Sequence, residues 1–364
     1  MLLQRQNPYA LSNTYIRTTS AISFAGLEEA GGNTLYPPST HILFIPFFAF
    51  LASPEAGTIA WMLWNIVFIG VIFYGISRKY LANNPFVHKY LFFILMVGAY
   101  ATKSCFRYGQ TSLFCFAFFV ATLLIKDKHK IAGGVLFAFA LAKPSLMILF
   151  AWYFIARREY TIVFTGIAIH IALTIAAANW LGISPLALMS DYAEKVSLLT
   201  SQKTSLWLYY QVNGVSLKSI LNILGTPSAI VFSITTLLYC AAAVIIYAKR
   251  KHSELYVLGL TALLTIFIDY HWHYDFVVLF LLFPIFAQDL KNNPTRPVSL
   301  LYFLLVLYMP DLLRAGATGV LLASNNGYLL IWQLCYTLLF AVLAILFLQK
   351  APNRNEPKKR SCSQ

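Results

Sequence analysis

Apolar and polar positions along this chain alternate in blocks rather than residue by residue. Apolar runs occupy Gly57–Ser77, Tyr90–Thr102, Gln110–Ile125, Tyr160–Leu181, Pro227–Ala248, Leu255–Ile268, Phe276–Gln288, Val298–Met309 and Tyr328–Leu348, with a shorter run at Pro38–Ala52. Spanning a bilayer takes about 20 apolar residues in a helix, and no period-2 pattern competes with that reading. The pattern therefore predicts an all-α fold, a polytopic transmembrane helix bundle of about ten membrane segments. One stretch departs from a simple pass. Between Lys130 and Arg157 two apolar arms are interrupted at Lys143-Pro144. The arm Ile131–Ala142 makes only about 18 Å of helix at 1.5 Å per residue, against about 30 Å of hydrocarbon. Both outer ends are basic, so the two arms are expected to form a broken, re-entrant hairpin.

Composition sharpens this picture. Of 364 residues 59% are hydrophobic and only 11% are charged, where a soluble domain carries about 25% charged residues. Such a chain cannot cover a water-facing surface, which excludes a soluble enzyme and a disordered regulator. The formal net charge is +14, yet most of it sits between apolar runs, at Arg78/Lys79, Lys126–Lys130, Arg157/Arg158, Lys249–Lys251 and in the tail. That is the cytoplasmic bias of membrane proteins rather than a nucleic-acid footprint. Residues 1–350 are expected to form one membrane domain, and 351–364 a basic tail touching anionic lipid. The opposite face receives the long outer loop 182–226, in which Ser216 opens a short amphipathic helix. Pro38–Ala52 either spans or dips; a full crossing would put Arg78 and Lys79 on the wrong side. Five widely spaced cysteines give no disulfide or zinc framework.

Three polar groups stand out against the apolar background. Lys103, Arg107 and Gln110 surround Tyr108-Gly109 between two runs, where Arg suits bidentate phosphate binding. Lys143 lies in the hairpin break, a costly position unless it faces a cavity or an anion. The densest cluster is Asp269-Tyr270-His271-Trp272-His273-Tyr274-Asp275. There His271 and His273 suit phosphate or sugar hydroxyls, and Asp275 suits a base or an orienting partner for a histidine. No further ligand group accompanies the two histidines, so no metal is expected, and no cofactor. Glu28 and Glu29, a carboxylate pair before Tyr36-Pro37-Pro38, are the other candidate bases.

The order of several short motifs resembles glycosyltransferase family 87, polyprenol-phosphate-mannose-dependent enzymes of the GT-C type. The resemblance rests on Asn7-Pro8-Tyr9, Leu35-Tyr36-Pro37-Pro38, Gly109-Gln110, Ala132-Gly133-Gly134 leading to Lys143-Pro144, Asn213 with Ser216, and Tyr274-Asp275 followed by Pro284. It implies a GT-C-like bundle with its active face periplasmic or extracellular, in the plasma (inner) membrane. The implied reaction moves a hexose, mannose in this family, from a polyprenyl-phosphate donor to a hydroxyl of a glycolipid or glycan acceptor. Tyr36, Lys103, Arg107, Gln110, Lys143, Asn213, His271 and His273 are the implied substrate and phosphate contacts, and Glu28, Glu29 and Asp275 the candidate catalytic carboxylates. Members of the family carry a further helix and a catalytic Asp before the Asn-Pro-Tyr region, and here no Asp precedes Asp127. The expectation is an N-terminally truncated member with little activity as it stands. A lipid-carrier flippase or transporter is the competing class, and an inactive relative the third.

Overall fold

A computed structural model describes residues 36–48, 54–200, 216–292 apart from 270 and 272, and parts of a helix within 337–348. The described residues are helical throughout, with no strands. In chain order the helices are α1 (Pro38–Phe48), α2 (Pro54–Tyr80), α3 (Phe86–Gly98), α4 (Tyr100–Tyr108), α5 (Ser112–Ile125), α6 (Lys130–Ala140) and α7 (Pro144–Ala156). They continue with α8 (Tyr160–Leu181), α9 (Pro185–Thr200), α10 (Leu217–Ile223), α11 (Ser228–Lys249) and α12 (Glu254–Ile268). A 3-10 helix, His273–Leu282, then runs into α13 (Phe283–Asn292).

Three of these helices, α2, α8 and α11, are long and apolar enough to cross a bilayer. α4 and α5 are apolar enough together but meet at 119°, the geometry of a broken span or a re-entrant loop. The chain is a membrane protein, but the described residues do not reach the ten membrane segments expected from the sequence. Two expected spans are in fact interrupted. The run Tyr90–Thr102 stops at Gly98, and Ala99 is extended (φ −61°, ψ 140°) before α4 begins. The Thr102 hydroxyl donates to the Met96 carbonyl at 2.6 Å, satisfying an acceptor that the break leaves open. The run Phe276–Gln288 is divided between the 3-10 helix and α13. Val298–Met309 lies outside the described residues.

The arms α6 and α7 form a hairpin with both outer ends at one end of the bundle. Near its start α6 packs on the end of α5, where the Thr122 hydroxyl reaches the Gly133 carbonyl at 3.3 Å. After α7 the chain reaches Glu159, which accepts from Lys126 Nζ at 2.7 Å. The break follows from Pro144. Proline suits the first turn of α7, where its missing N–H is no loss, but it forces the preceding residue out of helical geometry. Lys143 accordingly has φ −119° and ψ 84°.

α1 fills the space beside this break. The Thr40 hydroxyl donates to the Ala142 carbonyl at 3.1 Å, one of the acceptors exposed where α6 ends. His170 Nε2 donates to the Ala138 carbonyl at 2.8 Å, so its Nδ1 accepts from the Ser39 hydroxyl at 2.6 Å. Phe44 and Phe47 pack on Phe114. α1 and α2 both run alongside α5 in the same direction, since Tyr36 meets Thr111 and Phe47 meets Phe118, while Trp61 meets Phe114 and Lys79 meets Leu123. At about 16 Å, eleven residues are also too short for a pass. Lys79 ends beside Lys126, the two sharing Glu254.

A charged network closes that end. Lys79 Nζ lies 3.1 Å from Glu254 and 3.9 Å from Asp127. Lys126, 6% exposed, lies 2.7 Å from Glu159, 3.3 Å from Glu254 and 3.2 Å from Asp127. Tyr153 donates to Glu254 at 3.0 Å, and Arg157 to the His252 carbonyl at 2.7 Å. The ends of α2, α5 and α7 and the starts of α8 and α12 are thereby pinned together.

Close helix contact depends on Gly134 of α6, where a Cβ would sit 2.5 Å from Thr165 Cβ and 3.0 Å from the Ile162 carbonyl of α8. Gly134→Val is expected to destabilise the fold by about 1–3 kcal/mol through overpacking, read as a lowered melting temperature in detergent. On a background without native cysteines, Lys128→Cys, Arg158→Cys and Lys251→Cys are expected to react with an impermeant maleimide from one side of sealed vesicles. Leu224→Cys, at the far end of α11, should react from the other side. A split among the first three would contradict the pinned end.

Candidate functional site

At the opposite end from the charged network, three elements converge on one carboxylate. The break between α6 and α7 supplies Lys143, the first turn of α5 supplies Ser112, and the start of the 3-10 helix supplies Asp275. Lys143 Nζ lies 2.5 Å from Asp275 Oδ1. The Ser112 hydroxyl donates to the same oxygen at 2.5 Å and accepts from Lys143 at 3.2 Å. The other oxygen, Oδ2, accepts from His271 Nδ1 at 3.0 Å. Asp275 is 2% exposed and His271 fully buried. An ionised carboxylate only accepts, so the bond fixes a proton on Nδ1, and a neutral ring bonded this way presents its lone pair at Nε2. Among the described residues, that Nε2 has no hydrogen-bond partner.

Aromatic residues wall the cluster. The Lys143 ammonium sits 4.5 Å from the centroid of the Tyr274 ring, a favourable cation–π position when desolvated. Tyr36 and Thr111 share a hydrogen bond of 2.8 Å beside Ser112. His273 is also buried, with its ring edge-on to Tyr100 at 5.5 Å and to Phe276 at 5.7 Å.

Lys103 and Arg107 lie elsewhere. They stand one helical turn apart on the exposed face of α4, at the margin of an apolar groove of about 780 Å³ between α2 and α3. The other face of α4 touches the cluster, with the Cys105 thiol 3.6 Å from the Tyr274 carbonyl. Gly109 ends α4 with φ +61°, a left-handed conformation that glycine alone adopts without strain. Its amide neighbour Gln110 donates its N–H to the Cys105 carbonyl at 3.1 Å. This turn lets α5 begin at Ser112, with its hydroxyl aimed inward at Asp275.

Thus Lys143, His271 and Asp275 come together, with Tyr36 beside them, whereas Lys103 and Arg107 form a second group across α4. Glu28, Glu29 and Asn213 fall outside the described residues. Asp269 belongs to a different contact, accepting from Lys218 of α10 at 2.8 Å and from Tyr239 of α11 at 3.0 Å. α10 itself is capped by Ser216, whose Oγ accepts from the Ser219 amide at 3.1 Å. Ser112 is the site residue that the sequence reading did not name, and Tyr274 was quoted there only as part of a motif. No group of three or more His, Cys, Asp or Glu side chains able to hold a metal occurs among the described residues.

A family model described as glycosyltransferase family 87 matches residues 34–269, nearly two thirds of the chain. No curated protein and no solved structure matches it.

Because Asp275 holds Lys143, Ser112 and His271 at once, its loss strands a buried ammonium. Asp275→Asn is expected to cost about 3–5 kcal/mol, as for other broken buried pairs, seen as a large fall in melting temperature. Lys143→Met combined with Asp275→Asn should recover part of it. An unchanged melting temperature in Asp275→Asn alone would show that the pair does not hold the break together.

Proposed function

The chain belongs to glycosyltransferase family 87 and is a membrane glycosyltransferase; from that premise we propose that it moves a hexose, mannose being the first candidate, from a polyprenyl-phosphate donor to an acceptor hydroxyl on a glycolipid or glycan. The reaction is placed at the periplasmic or extracellular face of the plasma membrane. The acceptor oxygen forms a bond to the anomeric carbon, and the bond from that carbon to the phosphate oxygen breaks. The phosphate leaves with the electron pair, and the acceptor proton must go to a base.

The observation that carries the reading is the orientation of His271. Its Nδ1 proton is held by Asp275 and its buried Nε2 is open, which is the arrangement of a general base steadied by a carboxylate. As Nε2 takes the proton, Asp275 stabilises the imidazolium, and Lys143 keeps Asp275 ionised throughout. Lys143 also brings positive charge to the region where the leaving phosphate gains negative charge. On this reading His271 is the proton acceptor and Asp275 its positioning residue, and Glu28 and Glu29 are not needed for it.

The test is transfer of radiolabelled hexose from a polyprenyl-phosphate donor by the purified chain. His271→Gln is expected to lower the transfer rate by about 10²–10⁴, the usual contribution of a general base, while binding of the donor is retained. A His271→Gln enzyme with the wild-type rate would move the proton acceptor to another group.

A further inference from the structure

Asp269 and Asp275 bracket His271, and a lysine from a different segment holds each of them. Asp275 is held from within the bundle by Lys143 of the hairpin break. Asp269 is held by Lys218 of α10 at 2.8 Å and by the Tyr239 hydroxyl of α11 at 3.0 Å. α12 ends at Ile268, and Asp269 is extended (φ −101°, ψ 170°), so it caps the C-terminal end of that helix. A carboxylate is unfavourable there, because the helix dipole places negative charge at the same end. The position therefore calls for a cation, and Lys218 supplies it. α10 is seated to do so, with Ser219 and Ile220 buried, and a short turn at 224–227 leads directly into α11. Lys218 and Tyr239 thus reach Asp269 from one continuous piece of chain.

We propose that Lys218 is a positioning residue for sugar transfer, fixing through Asp269 the start of the turn that carries His271; the inference rests on the assignment of His271 as proton acceptor. The need for a second hold follows from the geometry of the first. The bond from Nδ1 to Asp275 sets the tautomer, but a ring on one hydrogen bond still pivots about it. The direction of Nε2 is decided by where the backbone at residue 271 is held. Asp269 lies two residues away, so at most about 7 Å of extended chain separates the anchor from the base. Reacting groups displaced by about 1 Å lose about 10²-fold in rate, which makes such an anchor matter. Lys218 and Asp269 are 29% and 17% exposed, and a partly exposed pair contributes little to global stability. Its effect is local. It removes freedom from one end of a turn whose other end Lys143 already fixes.

The test compares the full chain in phosphatidylcholine nanodiscs as wild type, Lys218→Met and Lys218→Arg. Lys218→Met is expected to lower kcat for hexose transfer about tenfold, with KM for donor and acceptor unchanged. Its melting temperature should hardly move, and Lys218→Arg should recover most of the rate. A readout independent of transfer is carbethoxylation of His271 by diethyl pyrocarbonate, followed by mass spectrometry. The fully buried ring should react slowly in the wild type and about tenfold faster in Lys218→Met, as the turn opens locally more often. If Lys218→Met does not fold, Asp269→Asn removes the same ion pair and keeps an acceptor for Tyr239. Wild-type kcat with an unchanged modification rate overturns the proposal. So does a loss of rate that tracks the melting temperature and is not recovered by Lys218→Arg, the mark of a merely structural contact. The two readings separate cleanly. Modification of His271 that responds to Lys218 in a chain without any sugar transfer sinks the transferase reaction alone. Transfer that is lost in His271→Gln but untouched in Lys218→Met sinks the positioning role alone.

Discussion

The bond between Lys143 and Asp275 is the constraint on which the upper half of the bundle depends. Two opposite charges in a water-poor interior lose several kcal/mol of hydration each, and only close, fully hydrogen-bonded contact offsets that loss. The contact needs the α6–α7 hairpin to break where Lys143 stands, α5 to begin with Ser112 facing inward, and the 3-10 helix to present Asp275. Each condition has its own local cause, namely Pro144 for the first and the left-handed turn at Gly109 for the second. The pair therefore fixes three elements at once, and His271 is oriented as a consequence.

Hydrocarbon tolerates no idle backbone groups, which explains the second feature of the fold. Three carbonyls at helix breaks near the cluster are met by side chains of neighbouring segments. Thr40 serves the Ala142 carbonyl, Thr102 the Met96 carbonyl and His170 the Ala138 carbonyl. α1 is too short to be a pass and is used as a plug that carries such donors. At the other end, Lys79 and Lys126 are shared among Asp127, Glu159 and Glu254, so helix ends that would repel as clustered cations are instead tied by interleaved carboxylates.

What was legible in the sequence follows the same physics. The hairpin break could be read because proline, arm length and basic flanks all bear on a single short stretch. Asp275 and His271 could be flagged as costly polar residues among apolar runs, but not their division of labour, since the contact joins positions 112, 143 and 275. Ser112 was invisible because a serine at a helix start is common and carries no charge. Lys103 and Arg107 looked like partners of Lys143, whereas the turn at Gly109 puts them on the far face of α4. Among the described residues fewer helices are long enough to cross than the apolar runs suggest, because apolar composition alone does not distinguish a span from a buried segment such as the 3-10 helix, nine of whose residues are buried.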